Sequence, residues 1–363
     1  VSEKIVLLCA GGTGGHLFPA EALAGALARY GWGVELATDE RGAPYTGSFP
    51  ARKIHAIPAE TVRSRSPLAM ANTAWKLGSG ALAAWRMLGR SRPAVVVGFG
   101  GYPTVPPLIA ATWRKIPTLI HEQNAVMGRA NRLLAGRVTR IATGFPEVAM
   151  VEASARAKLV HTGNPVRAAV IEAAKLPYPG FDGRLRLLVL GGSQGARVMS
   201  DVVPDAIGRL DPTLRARLSI VQQARREDLA RVRQTYADLG IDAEIEAFFK
   251  DLPAHMAAAH LVVSRGGAST VAELAAIGRP SILVPLPGAL DQDQAANARS
   301  LAGTGGAKLV MQTEFTPDNL AGDLAAMLGD PAGLARAAAA ARSAGSPDAA
   351  GRLAALVVDL AGG

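Results

Sequence analysis

The sequence predicts an α/β protein of two Rossmann-like, doubly wound parallel-sheet domains. Three observations carry that prediction. Two strand–glycine-turn–helix openings occur in one chain, β-branched and leucine runs alternate with helical stretches, and 363 residues suit two domains better than one. The first opening is the apolar strand Lys4–Cys9, then G-G-T-G-G-H at Gly11–His16, then a helical pattern through Ala20, Leu23, Leu27 and Ala28. The second is Leu185–Leu190, then G-G-S-Q-G-A at Gly191–Ala196, then another helix.

Further strands are expected at 94–97, 118–120, 140–142 and 159–161 in the first half. The second half adds 218–222, 243–247, 261–264 and 281–284. Asn164-Pro165 and the Pro/Gly-rich 176–180 stretch break the periodicity. The domains are therefore expected at 1–163 and 164–342. The Ala-rich tail is helical, and a final helix at about 343–363 packing back onto the first domain is left open by the pattern.

At 49% hydrophobic and 19% charged, the chain has apolar material for two cores and is not a disordered protein. No apolar run reaches the roughly 18–20 residues of a spanning helix, and the N-terminus lacks a basic-then-apolar signal segment. A cytoplasmic chain is expected. Cys9, the one cysteine, sits on the first strand as a buried, inert thiol. The net charge of +9 is concentrated in one half, since 1–163 carries 19 Lys/Arg against 9 Asp/Glu. Between Arg52 and Arg92 only Glu60 opposes the basic residues, so this half is built to sit near something anionic.

A glycine turn leading into a helix gathers backbone N–H groups at the positive end of a helix dipole, which suits a phosphate. Neither turn spells the dinucleotide G-x-G-x-x-G or ends in the Lys-Ser/Thr of a P-loop, which disfavours dehydrogenases and nucleoside triphosphatases. Two equivalent turns point to two phosphate-bearing ligands. A third turn, Gly98–Pro103, and a strand end carrying His121-Glu-Gln-Asn124 complete an active-site rim in the first half.

In the second half, Arg265-Gly-Gly-Ala-Ser-Thr270 opens a helix carrying Glu273. That carboxylate suits a ribose diol or, equally, the helix dipole. Asp291-Gln-Asp-Gln294 and Asn297 offer the mixed donors and acceptors that sugar hydroxyls need. Asp291 and Asp293 form a literal D-x-D, the weaker reading of which is a metal site; helix N-termini already serve phosphates, and no metal or other cofactor is expected.

Taken in order, these motifs, with T-G-N-P-V-R at Thr162–Arg167, resemble the MurG family across essentially the whole chain. The resemblance implies a GT-B architecture with two domains facing a cleft. It also implies a hexosyltransferase that makes lipid II from lipid I and UDP-N-acetylglucosamine (UDP-GlcNAc). Ser193 would then contact the diphosphate, and the backbone of Phe249 the uracil. Ala268, Ser269, Thr270, Val271, Ala272 and Glu273 would line phosphate and ribose, and Gln294 and Asn297 would read the sugar. Arg167 closes its motif, while Thr13, Gly14, Gly15 and Asn124 would reach the donor from the first domain. Phe249 stands where a smaller aliphatic residue is common, and Asp293 where a glutamine is.

Transfer with UDP as leaving group needs a base for the acceptor hydroxyl. His16 leads, because a helix N-terminus disfavours imidazolium; Glu122 is the second candidate, and orienting acceptor phosphate is the other role open to His16. Among the basic residues stand Leu68, Met70, Trp75, Leu77, Leu82, Trp85, Arg86, Met87 and Leu88, with Trp113-Arg-Lys115 later. That mixture suits an anionic membrane surface; nucleic acid is not expected, since no stacking repeat or recognition helix accompanies the charge. The resemblance places the enzyme on the cytoplasmic face of the cell membrane, where other cell-wall synthesis proteins are possible partners.

Overall fold

The computed structural model describes residues 4–11, 14–39, 47, 49–57, 67–181, 183–192, 195–288 and 292–362. Within 67–77 only the Trp75 side chain is described. The chain forms two compact units, Val1–Arg167 with Pro347–Gly363, and Ala168–Ser346.

The first unit is a parallel sheet of seven strands: β1 (Ile5–Cys9), β2 (Gly33–Thr38), β3 (Lys53–Ala56), β4 (Val95–Gly98), β5 (Thr118–Glu122), β6 (Arg140–Thr143) and β7 (Leu159–His161). Their order is β3-β2-β1-β4-β5-β6-β7, so the winding reverses between β1 and β4. At such a reversal the connections leave in opposite directions, opening a crevice beyond the carboxyl ends of the two strands. Four helices follow the strands: α1 (Gly14–Ala28), α2 (Pro67–Ser91), α3 (Val105–Trp113) and α4 (Arg129–Ala135).

Two of these strands were not legible in the sequence. In β2 the apolar run is interrupted by Glu35, which is nonetheless buried. One of its oxygens, Oε2, accepts from His55 Nε2 at 2.8 Å and Ser91 Oγ at 2.7 Å, and these bonds hold the carboxyl below its ordinary range against the opposing effect of burial. Edge strand β3 has three exposed residues in four and so lacks an apolar pattern.

The second unit repeats the design with six strands: β8 (Leu185–Leu190), β9 (Leu218–Gln223), β10 (Asp242–Glu246), β11 (Leu261–Ser264), β12 (Ser281–Leu283) and β13 (Ala307–Leu309). The order is β10-β9-β8-β11-β12-β13, with the reversal between β8 and β11. β13, three residues long and at the edge, was also missed. Helices α5 (Ala168–Ala174), α6 (Arg197–Gly208), α7 (Pro212–Arg215), α8 (Leu229–Asp238) and α9 (Leu252–Ala258) come first. They are followed by α10 (Ala268–Ile277), α11 (Asp293–Gly303), α12 (Pro317–Leu328) and α13 (Pro331–Ala344). Arg279, wholly buried, donates to the carbonyls of Met256, Ala257, Ile277 and Gly278. Its charge is thus met by the negative ends of α9 and α10, and burial lowers its pKa to about 10.

The last helix, α14 (Ala349–Gly362), belongs to the first unit. Leu353, Ala354 and Val357 lie in one buried cluster with Leu17, Leu23 and Leu27 of α1 and Val95 and Val97 of β4. The Leu353→Ala variant should therefore lose about 2–5 kcal/mol of stability through transfer and cavity costs. Urea denaturation tests this, and a variant as stable as the parent would show that the helix is not docked there.

Candidate functional site

The first crevice is built where β1 and β4 end. Phe99 N–H donates to Cys9 O at 2.8 Å and Gly11 N–H to Gly100 O at 3.3 Å, so the two turns touch through backbone. Gly100 and Gly101 have φ of +87° and +78°, in the left-handed region that favours glycine. His16, half-buried as the third residue of α1, has its ring between these turns. A Cβ on Gly11 would stand 3.2 Å from its Nδ1, and one on Gly100 3.3 Å from its Cδ2 and Nε2. The niche exists because three glycines leave it. Gly14 is covered by the Phe18 ring, while Gly15 faces open space.

Next along the sheet, β5 ends in the H-E-Q-N segment. Glu122 is buried, and its Oε1 accepts from the backbone N–H of Asn124 at 2.9 Å and from its Nδ2 at 3.3 Å. Its Oε2 accepts from Gly128 N–H at 2.9 Å and Asn131 Nδ2 at 2.8 Å. Burial raises the carboxyl's pKa, against these four N–H groups. Such a carboxylate fastens the loop 122–131. His121 is fully buried, with Nε2–H donating to Gly163 O at 3.1 Å, and burial lowers its pKa to about 4. Asn164 Nδ2 donates to Gln123 O at 2.8 Å. Arg167 lays its guanidinium 4.5 Å from the Phe18 ring centroid, at the start of α1.

In the second unit, Gly191 N–H donates to Gln223 Oε1 at 3.1 Å, fastening the turn after β8 to the end of β9. Helix α10 begins after Gly267, whose lack of a side chain leaves the first N–H groups without a side-chain cap. Ser269 and Thr270 are half-buried there, and Glu273, buried, lies one turn in. Arg265 reaches back to Val284 O and Pro285 O, both at 3.1 Å. Asn297 is wholly buried and donates from Nδ2 to Gly266 O at 3.1 Å, while Gln294 Oε1 accepts Leu286 N–H at 3.0 Å. These two amides brace the loops on either side of α11. Asp293 Oδ1 accepts Gln294 N–H at 2.9 Å. Phe249 follows β10 with its ring buried, 4.9 Å from that of His255.

A third feature is a surface. Along α2, Trp75, Leu82, Trp85 and Arg86 are exposed, and Trp113 at the end of α3 is 64% exposed. Arg114 lies over the Trp85 ring at 4.0 Å and donates from Nε to Trp85 O at 2.7 Å, locking the two helix ends together. Among the described residues no helix is long and apolar enough to cross a membrane.

The sequence matches the glycosyltransferase family 28 N-terminal domain over residues 6–143 and the family 28 C-terminal domain over 186–353. It is 59% identical over 97% of both chains to a Rhodopseudomonas palustris protein. It is 62% identical to a Methylobacterium relative, over 99% of this chain and 98% of that one. Both relatives are named UDP-N-acetylglucosamine–N-acetylmuramyl-(pentapeptide) pyrophosphoryl-undecaprenol N-acetylglucosamine transferases. The crystal structure of Acinetobacter baumannii MurG matches with a TM-score of 0.80 at 29% identity, over 98% of this chain and 99% of that one. The chain belongs to the MurG family of glycosyltransferases.

Read as a MurG-family chain, the first unit brings together Gly14, His16 and Arg167 around the start of α1, and Glu122 with Asn124 one strand further. The second unit gathers 268–273, Gln294 and Asn297. Thr13, Ser193 and Asp291 lie outside the described residues, as do the side chains of Leu68, Met70 and Leu77. Gln123 and Arg265 lie in motifs read from the sequence without a role of their own, and Gln223 was not singled out. Their one signal was a polar side chain at the carboxyl end of a buried strand, and each bonds the backbone of a neighbouring turn.

A buried histidine with a depressed pKa adds a pH dependence. Folding favours neutral His121, so its contribution is fully present above its ordinary value near 6.5 and is lost as pH falls through about 4. Urea midpoints should drop across that window, and the drop should shrink in His121→Gln; equal drops in both proteins would remove His121 as the cause.

Proposed function

We propose that this chain moves N-acetylglucosamine from UDP-GlcNAc onto the 4-hydroxyl of the N-acetylmuramyl residue of lipid I, yielding lipid II and UDP. The observation that carries the reading is the His16 imidazole, held among three glycines at the crevice between β1 and β4, in a chain 59% and 62% identical to relatives named for this transferase reaction. Another UDP-sugar glycolipid transferase or a UDP-GlcNAc 2-epimerase is disfavoured, because the relatives over the whole length carry the transferase name.

In this mechanism the acceptor 4-hydroxyl oxygen attacks the anomeric carbon as the bond to the UDP oxygen breaks. His16 takes the hydroxyl proton, and the β-phosphate leaves with the bonding pair. The configuration inverts from α to β. The donor is held by the second unit: uncapped N–H groups at the start of α10 face the diphosphate, Glu273 the ribose, and the backbone at Phe249 the uracil. Ser193 contacts the diphosphate, Thr13, Gly14, Gly15 and Asn124 reach the donor, and Arg167 adds positive charge. Gln294 and Asn297 read the sugar hydroxyls. Helix-terminal dipoles and Arg167 can meet the developing charge.

Because lipid I lies in a membrane, the aromatic and basic face of α2 and α3 is the surface that would rest among anionic headgroups. Trp75, Leu82, Trp85 and Trp113 would enter the interface, with Arg86 beside them. This makes the protein peripheral, on the cytoplasmic face of the membrane.

Purified protein with labelled UDP-GlcNAc and a short-chain lipid I analogue should release UDP and form labelled disaccharide-lipid. UDP-galactose, or omission of acceptor, should give none. His16→Ala should lower kcat by about 100-fold or more while UDP still binds, the scale of a lost general base. Absence of transfer from protein that binds UDP would sink the reading. Separately, replacing Trp75, Trp85 and Arg86 together should reduce sedimentation with anionic vesicles and leave UDP affinity unchanged; undiminished sedimentation would move the membrane surface elsewhere.

A further inference from the structure

Gln123 has no place in the chemistry above, yet it is built into the first crevice. Its side chain is 4% exposed. Nε2 donates to Phe99 O at 2.9 Å, so the amide is tied to the turn that follows β4. Its Oε1 lies 3.6 Å from the point where a Cβ on Gly100 would stand. Cδ2 and Nε2 of His16 lie 3.3 Å from the same point. Gln123 and the imidazole therefore both border Gly100. Gly100 in turn accepts Gly11 N–H, and with a φ of +87° it has a conformation few other residues would hold. Behind Gln123, its own carbonyl accepts Asn164 Nδ2 at 2.8 Å, within the segment that leaves the first unit.

We propose that Gln123 is a positioning residue for His16, setting the imidazole through the Phe99-Gly100-Gly101 turn. The turn has three fixed points: β4 before it, Gly11 on one side and Gln123 on the other. A glycine pair in left-handed conformations has no side chain of its own with which to hold a position, so an outside tether has to supply the rigidity. A base misplaced by a fraction of an ångström loses its line to the hydroxyl proton, while donor binding on the second unit is untouched. Gln123 thus acts on the chemical step without contacting substrate. The proposal rests on His16 being the base.

The test is a double-mutant cycle in the transfer assay, with Gln123→Met (similar length, no amide) and Gln123→Asn (an amide withdrawn from Phe99 O). Each should lower kcat by about tenfold or more with KM for UDP-GlcNAc within about twofold, as expected for a loss confined to the transition state. In a His16→Ala background the same substitutions should cost less than about twofold, because the group they position is gone. An undiminished tenfold loss in that background would overturn the proposal and leave the transferase reading intact. A His16→Ala protein with full activity would instead remove the base on which it rests. Equal loss of UDP binding in both Gln123 variants would make Gln123 a folding residue, and that too would overturn it. NMR of histidine-labelled protein adds a readout independent of turnover: the His16 ring signals should move in both variants, and unmoved signals would count against any coupling.

Discussion

The close approach of two backbone turns, Gly11 against Gly100, is the constraint on which the first unit's site depends. Parallel strands β1 and β4 are hydrogen-bonded neighbours, so their carboxyl ends must leave the sheet side by side. A side chain at Gly11 or Gly100 would press on the His16 ring, and one at Gly101 would touch it and Gly11. Glycine at all three places lets the turns meet and still leaves room for an imidazole at the start of α1. The reversal of winding between those strands puts this contact in a crevice, so the packing that closes the sheet also places the His16 imidazole.

Polar groups around the crevice serve mainly as fasteners. Glu122 closes its own loop with four N–H donors, Gln123 holds the neighbouring turn, and Asn164 ties both to the segment leaving the unit. The second unit shows the same economy: Gln223 fastens the turn after β8, and Gln294 and Asn297 brace the loops beside α11. Glycine-rich turns have little rigidity of their own, and buried amides supply it because each brings both donors and an acceptor to backbone groups that burial would leave unpaired.

Positive charge is used in two contrasting ways. On α2 and just after α3, Arg86 and Lys115 are exposed and half-buried Arg114 is stacked on Trp85, an arrangement suited to an anionic, partly apolar boundary. Arg279 is buried without a carboxylate among its bonded partners and is met instead by the carbonyls that end α9 and α10. There the cation organises helix ends within the second unit.

Much of the molecule was legible in the residues themselves. Apolar runs long enough to be buried on both faces declare a parallel sheet, and glycine turns declare where its strands end, because each signal is local in the chain. The same locality marked His16, Glu273 and the exposed tryptophans. Only the tertiary structure decided that β2 contains a buried carboxylate, since Glu35 is made tolerable by His55 and Ser91 from other elements. It alone shows Glu122 bonded by Asn124, Gly128 and Asn131, because those partners depend on how the loop folds back. It also decided that α14 completes the first core, since the face of a helix specifies that it must be buried and leaves open against what.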